Sequence, residues 1–264
     1  MIADYHLHTP LCKHASGAPE EYARRAVERG IEEIGFSDHS PMPPGFDPEW
    51  RMSIGQYGDY VDMVRACRKA FPGLVIRLGL EADYHPGTEG FVREILGRHE
   101  FDYVIGSVHF LGDWGFDNPE NAGRFEGRDL HATYAEYYGL VAALARTGLY
   151  DIVGHPDVIK KFGHRPSRDY EPLERAALEA VAEAGMALDV NTSGLRRPAR
   201  EIYPSLRILR AARSMGIGIT FGSDAHEPGR VGDAFADAAA HAKAAGYASF
   251  RRYAGRAYTE VPLP

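Results

Sequence analysis

Hydrophobic and polar positions along the chain alternate between two textures. Short runs rich in Val, Ile, Leu and Phe recur at residues 2–6, 33–36, 74–80, 103–106, 151–154, 186–190 and 217–221. Most lack period-two alternation, as strands buried on both faces of a parallel sheet do. Between them lie helix-like segments at 19–29, 54–70, 88–97, 130–147, 168–184, 199–215 and 231–245. Their punctuation agrees. Ser16-Gly-Ala-Pro-Glu-Glu puts Pro and acids in a first turn, and Gly185 and Gly216 stand where helices should stop. Two excursions, 40–52 and 111–127, are rich in Gly, Pro and aromatics and read as lids over a site. Strand–helix units with no linker between them predict one α/β domain over 1–264, a (β/α)7 barrel. An open doubly wound sheet is the alternative. The turn after the first run reads His6-Leu-His-Thr-Pro10, which is wrong for cradling a pyrophosphate.

Composition narrows the function classes. The chain is 44% hydrophobic and 25% charged, ordinary for a globular protein. Its 30 basic and 37 acidic residues leave a net charge of −7, which disfavours a nucleic-acid partner. Any phosphate must be attracted locally. No stretch approaches the roughly 20 apolar residues of a membrane span, and the first residues lack the basic region and apolar core of a signal peptide. Cys12 and Cys67 cannot make a disulfide framework. A cytoplasmic location is expected. The pattern specifies no oligomeric state.

The histidines carry the chemical signal. Six of the seven runs end at or near a possible metal ligand: His6 and His8, with His14 soon after; Asp38-His39; Glu81; His109; His155; and Asp224 with His226. The remaining run, the sixth, ends at Asn191-Thr-Ser-Gly194. In a barrel these termini converge on one rim. His6 and His8 are two apart on one strand and share a face, as do Asp224 and His226. Imidazoles gathered there without a cation would repel on protonation. With Glu81 and Asp224 they can hold divalent ions. Nine candidate ligands without thiolate suit Zn, Mn or Fe and imply at least two ions, with room for three. His99, His131 and His241 read as surface residues, and His85 and His164 as structural.

This series, His6-x-His8…His14, Asp38-His39, Glu81, His109, His155 and Asp224-x-His226, resembles the polymerase and histidinol phosphatase (PHP) superfamily over essentially the whole chain. The words Leu11-Cys-Lys-His14, Gly154-His-Pro-Asp-Val-Ile-Lys-Lys-Phe162 and Asn191-Thr-Ser-Gly-Leu-Arg196 resemble its histidinol-phosphatase branch. The resemblance implies a distorted barrel with a three-metal cluster and hydrolysis of L-histidinol phosphate in histidine biosynthesis. It assigns His6, His8, Glu81 and Asp224 to one metal. A second takes Glu81, His109 and His155, with Glu81 bridging. A third takes His14, His39 and His226.

For such a reaction, cations generate hydroxide near neutral pH and absorb charge on the phosphoryl oxygens. Glu81 and Asp224 are the expected catalytic carboxylates. Asp38 is expected either to protonate the leaving alcohol or to hold a ligating imidazole. Asp157 and a metal-bound water are the other candidate acids. Lys160, Lys161, Ser193, Arg196 and Arg197 are the expected phosphate-binding shell, though Ser193 also suits a turn cap. Asp83, Tyr84, Phe110, Phe116 and Asp117 are candidates for the amine and imidazole of the substrate. A nuclease of the same superfamily is one rival, opposed by the acidic balance. An amidohydrolase-type enzyme is a second. It would bridge its metals from the fourth strand, which here ends at His109. A metal-free binding module is a third, opposed by a full ligand set.

Overall fold

The computed structural model describes residues 2–264. Each apolar run becomes a parallel strand, and the elements alternate as expected. The first half is β1 Asp4–Leu7, α1 Pro19–Glu28, β2 Glu33–Phe36, α2 Tyr57–Ala70, β3 Val75–Asp83, α3 Glu89–Leu96 and β4 Tyr103–Ser107. A small hairpin, β5 Phe110–Leu111 and β6 Trp114–Gly115, follows within the second excursion. Then come α4 Leu130–Arg146, β7 Ile152–Val153, α5 Glu171–Glu183, β8 Ala187–Asn191, α6 Leu206–Ser214, β9 Gly218–Gly222 and α7 Phe235–Ala244. The chain finishes in an antiparallel hairpin, β10 Ser249–Ala254 and β11 Ala257–Pro262.

The main sheet runs β1-β2-β3-β4-β7-β8-β9, parallel throughout. It closes between its first strand and the residues just after its last. Leu7 bridges Ala225, with the His8 amide donating to the Ala225 carbonyl at 3.0 Å and the Ala225 amide donating to His6 at 3.2 Å. The buried Asp4 carboxylate reinforces the seam by accepting from the Ser223 amide at 2.9 Å, its hydroxyl at 2.6 Å and the Gly232 amide at 2.8 Å. The sheet is a barrel, not an open sheet.

Period two sorts the strand residues. Along β3, Ile76, Leu78, Leu80 and Ala82 join the apolar cluster shared with the helices. The alternate positions, Arg77, Gly79, Glu81 and Asp83, carry the polar chemistry. Gly79 and Gly35 are required by bulk, because a Cβ at either would stand 2.3 or 2.1 Å from the buried Tyr103 side chain. Glu81 and Asp83 lie at the strand's C-terminal end, so the barrel lifts them to the rim.

Three expectations need adjusting. The segment 199–215 is helical only from Leu206. Pro204 has no amide to donate, Tyr203 pairs with Asn191 in both directions, and the Ser205 hydroxyl caps the helix by accepting from the Ile208 amide. The helices expected from 168 and 231 begin at Glu171 and Phe235. The C-terminal hairpin was not anticipated, because charged residues interrupt its apolar pattern. No helix among the described residues is long and apolar enough to cross a membrane.

Candidate metal centre

The nine residues singled out for ligation converge on the rim, around Glu81. His6 and His8 come from the end of β1 and the residue after it, and both are fully buried. Glu81, near the end of β3, is 1% exposed. His39, His109 and His155 follow β2, β4 and β7; Asp224 and His226 follow β9; His14 stands on the loop after β1. Two of these positions are held in left-handed backbone, His155 at φ 27° and Asp224 at φ 53°. Such conformations are costly for residues with a Cβ and persist where the surroundings enforce them, often at functional sites.

The distances suit ion coordination. Glu81 Oε1 lies 3.0 Å from His155 Nε2 and 3.5 Å from His109 Nε2, and those two nitrogens are 3.3 Å apart. Glu81 Oε2 lies 3.2 Å from His6 Nε2, 3.1 Å from His39 Nδ1 and 3.6 Å from His8 Nε2. Asp224 Oδ1 is 3.3 Å from His8 Nε2 and 3.9 Å from His6 Nε2. Donors about 2.0–2.1 Å from a tetrahedral ion stand about 3.3 Å from one another. His14, His39 and His226 offer a further set of ligand atoms within 4.8 Å of one another.

Several of these atoms have no hydrogen-bond partner, although Glu81 Oε1 accepts from the Ser107 hydroxyl at 2.7 Å. His6 Nε2, His8 Nε2, His39 Nδ1, His226 Nε2 and Glu81 Oε2 are buried without a hydrogen bond. Buried polar atoms are rarely left so, and each is costly. Divalent cations would satisfy these atoms, so the residues present fit such ions.

The opposite sides of the rings are fixed. His6 Nδ1 lies 2.8 Å from Asp189 Oδ2, His109 Nδ1 lies 2.7 Å from Asp83 Oδ1, and His8 Nδ1 lies 3.4 Å from Asp38 Oδ1. Partners of this kind set ring orientation and raise ligand basicity. Gly222 leaves room for one of them: a Cβ there would stand 2.5 Å from the His6 Cβ and 2.6 Å from Asp189 Oδ1. Burial alone would push the His6 and His8 imidazoles down, but the surrounding carboxylates hold both well above the usual range. Burial would likewise raise Glu81, yet His6 and His39 keep it well below. His226 is pushed the other way, well below its usual range, by burial and by His8, whose ring stacks on it at 3.9 Å.

The cage opens into a cavity of about 520 Å3. Lys161, Arg197 and Ser193 line it. Lys161 donates to the Asp117 carbonyl at 2.7 Å, and the Ser193 hydroxyl donates to Asp224 Oδ2 at 3.0 Å. Phe110, Asp117, Trp50 and Asp47 also line it. Other expected residues lie elsewhere. Lys160 is buried 2.6 Å from both Asp157 and Glu201, turned from the cavity by its ion pairs. Arg196 bonds Asp233 and the Ser223 carbonyl instead. Asp38 is fully buried behind His8, taking hydrogen bonds from the Thr9 hydroxyl and from the Thr9 and His39 amides. Asp83, Tyr84 and Phe116 are buried off the cavity, Asp83 because Arg51 and His109 hold it. His85 and His164 pack in loops, against Phe46 and Phe125. Sequence reasoning missed Asp189 and Arg51. A lone Asp inside an apolar strand was the available signal for the first.

Comparisons with known proteins agree with this geometry. The PHP domain model matches residues 4–193, and the PHP-associated model matches 205–243, the part that brings Asp224 and His226. The chain is 52% identical over 239 residues to a probable histidinol-phosphatase of Deinococcus radiodurans, covering 90% of this chain and 91% of that protein. It is 35% identical over 257 residues to the histidinol-phosphatase of Bacillus subtilis, covering 88% and 96%. Its fold is similar to that of the Lactococcus lactis histidinol phosphate phosphatase solved with zinc, L-histidinol and phosphate. The TM-score is 0.85 at 22% identity, with 98% of each chain covered. The structure of a Listeria monocytogenes protein named "putative histidinol phosphatase" gives a TM-score of 0.80 at 24% identity, covering 89% and 99%. A rim of imidazoles around one shared carboxylate, a closed seven-stranded parallel barrel and a family match over most of the sequence lead to one conclusion: the chain belongs to the PHP domain family.

Proposed function

We propose that this protein is a metal-dependent phosphomonoesterase that hydrolyses L-histidinol phosphate to L-histidinol and phosphate. The observation that carries the reading is a cage of unpartnered buried imidazole nitrogens around an unpartnered Glu81 oxygen, opening onto a cavity whose wall includes Lys161 and Arg197. The relatives at 52% and 35% identity support the substrate. The cage is read as holding two or three divalent ions, zinc, iron or manganese. His6, His8, Glu81 and Asp224 form one set, Glu81, His109 and His155 a second, and His14, His39 and His226 a third. Ions bound there supply Lewis acidity, activating water near neutral pH and neutralising phosphoryl charge.

The protein's own groups do the rest. Glu81 spans the first two sets, one oxygen toward His109 and His155 and the other toward His6 and His8, and that second oxygen also lies near His39 of the third. Asp189, Asp83 and Asp38 hold the imidazoles from behind. Ser193 occupies Asp224 Oδ2 and leaves Oδ1 facing His8. Lys161 and Arg197 offset the phosphomonoester's charge at the cavity wall. Trp50 and Phe110, with Asp47, Asp113 and Asp117, suit a cationic amine and a flat imidazole at the other end. Asp38 acts by orienting His8 rather than by reaching the leaving oxygen. Ligands come from both family segments, so we read 1–264 as one functional unit.

The test is phosphate release from L-histidinol phosphate beside glycerol phosphate, p-nitrophenyl phosphate and a single-stranded oligonucleotide. Turnover should be highest for L-histidinol phosphate, stop with chelator and return with Mn or Zn. Equal turnover of all monoesters, or cleavage of the oligonucleotide, would refute the assignment.

A further inference from the structure

We infer that Arg51, a residue of the long excursion after β2, is a positioning residue that sets the grip of the Glu81–His109–His155 group on its ion. The inference rests on the metal-centre reading above.

Arg51 is 4% exposed, and its guanidinium makes three polar contacts, one of them to Asp83 at the end of β3 and two within its own excursion. Nη1 donates to Asp83 Oδ2 at 2.8 Å and to the Ser40 carbonyl at 3.2 Å, and Nη2 donates to Asp47 Oδ2 at 3.0 Å. The other oxygen of Asp83, itself 1% exposed, lies 2.7 Å from His109 Nδ1. Both Asp83 oxygens are therefore spoken for, one by a cation and one by a ring. Asp83 serves as a partner to His109 rather than as a ligand. The chain Arg51–Asp83–His109 leaves His109 Nε2 facing Glu81 and His155.

The same clasp ties the excursion to the centre from a second side. The Ser40 amide donates to the Glu81 carbonyl at 2.8 Å, so Arg51 fastens its own loop to the strand that presents Glu81. The loop also sets the Trp50 ring 4.9 Å from the His14 ring. Burying a guanidinium costs desolvation, which the Asp83 and Asp47 carboxylates and the Ser40 carbonyl offset here. A planar fork reaches its three acceptors from two separate nitrogens, whereas an ammonium is a single point donor on a flexible stem. The loop that forms one wall of the cavity is thereby coupled to retention of an ion, through two side chains and without touching it.

The experiment compares the wild-type protein, Arg51→Met, Arg51→Lys and Asp83→Asn, each loaded with zinc. Ions per chain are followed during chelator extraction, and absorption spectra are recorded after cobalt substitution. Arg51→Met should lose one ion per chain at least tenfold faster than wild type, the others leaving at the wild-type rate. Its cobalt spectrum should shift as that of Asp83→Asn does, and Arg51→Lys should fall between. A folded Arg51→Met with wild-type extraction and spectrum would overturn the inference. So would equal acceleration for every ion, which marks a loosened fold. If Arg51→Met does not fold, Arg51→Lys is judged by the same criteria. A wild-type protein that binds no zinc would overturn the metal centre itself and this inference with it.

Discussion

The two ends of the barrel bury similar chemistry and use it differently. At the N-terminal end, the Tyr5 hydroxyl donates to Glu33 Oε1 at 2.6 Å, Arg77 Nε donates to the same oxygen at 2.8 Å, and the Tyr253 amide of β10 donates to the Tyr5 hydroxyl at 2.9 Å. The Tyr103 hydroxyl donates to the Tyr5 carbonyl at 2.7 Å. These groups answer one another and pin the terminal hairpin to the barrel floor. At the C-terminal rim the buried groups are aimed at common points, and His6 Nε2, His8 Nε2, His39 Nδ1, His226 Nε2 and Glu81 Oε2 are left without hydrogen-bond partners. Buried charge alone does not mark a functional site. Buried charge whose donors and acceptors remain unmatched does.

That contrast can be broken by substitution. The largest effect is expected at the rim: His6→Ala or Asp224→Ala should lower phosphatase turnover at least about 1000-fold, with circular dichroism little changed. Near-normal turnover in either variant would remove the distinction. Asp189→Asn keeps the shape behind His6 but weakens its acceptor, so metal affinity or turnover should fall about 10–100-fold, read by metal titration. At the floor, Glu33→Gln should cost about 2 kcal/mol in denaturant unfolding and leave kcat within about twofold. A large kcat loss there would show that the ends are not separable.

A pH-dependent effect sharpens the rule at a third polar group, outside the barrel between α5 and α6. Burial pushes the Glu174 carboxyl up to about 7, with Arg207 at 2.9 Å pulling against it. A carboxyl raised in the folded state gives stability that is complete below its unfolded value, about 4.5, and lost as pH rises through about 7. Unfolding between pH 5 and 8.5 should therefore show wild type losing about 1–3 kcal/mol from this group, and Glu174→Gln losing less. Parallel pH profiles would contradict the assignment.

Much of this was legible in the residues. The seven apolar runs gave the strands because a parallel barrel buries both faces. Ligands at run ends gave the rim because strand ends converge there. What stayed hidden depends on contacts between distant segments. Lys160 and Lys161 are adjacent and chemically alike, yet one is sequestered by Asp157 and Glu201 and the other lines the cavity. Arg196 and Arg197 divide the same way, because Asp233 captures the first. Asp83 read as a substrate contact until Arg51, 32 positions earlier, was seen to occupy it. The β10–β11 hairpin was obscured by Arg251, Arg252 and Glu260. Arg251 pairs with Glu260 across the two strands at 3.3 Å, and Arg252 reaches back to Glu33 at 3.5 Å.

The most direct test of the central claim is elemental analysis of the purified protein beside Glu81→Gln, the one carboxylate both main ligand sets share. The account predicts two to three divalent ions per wild-type chain, and loss of most of them in a Glu81→Gln variant that still folds. A wild-type chain carrying less than one ion, with phosphate release indifferent to chelator, would contradict it.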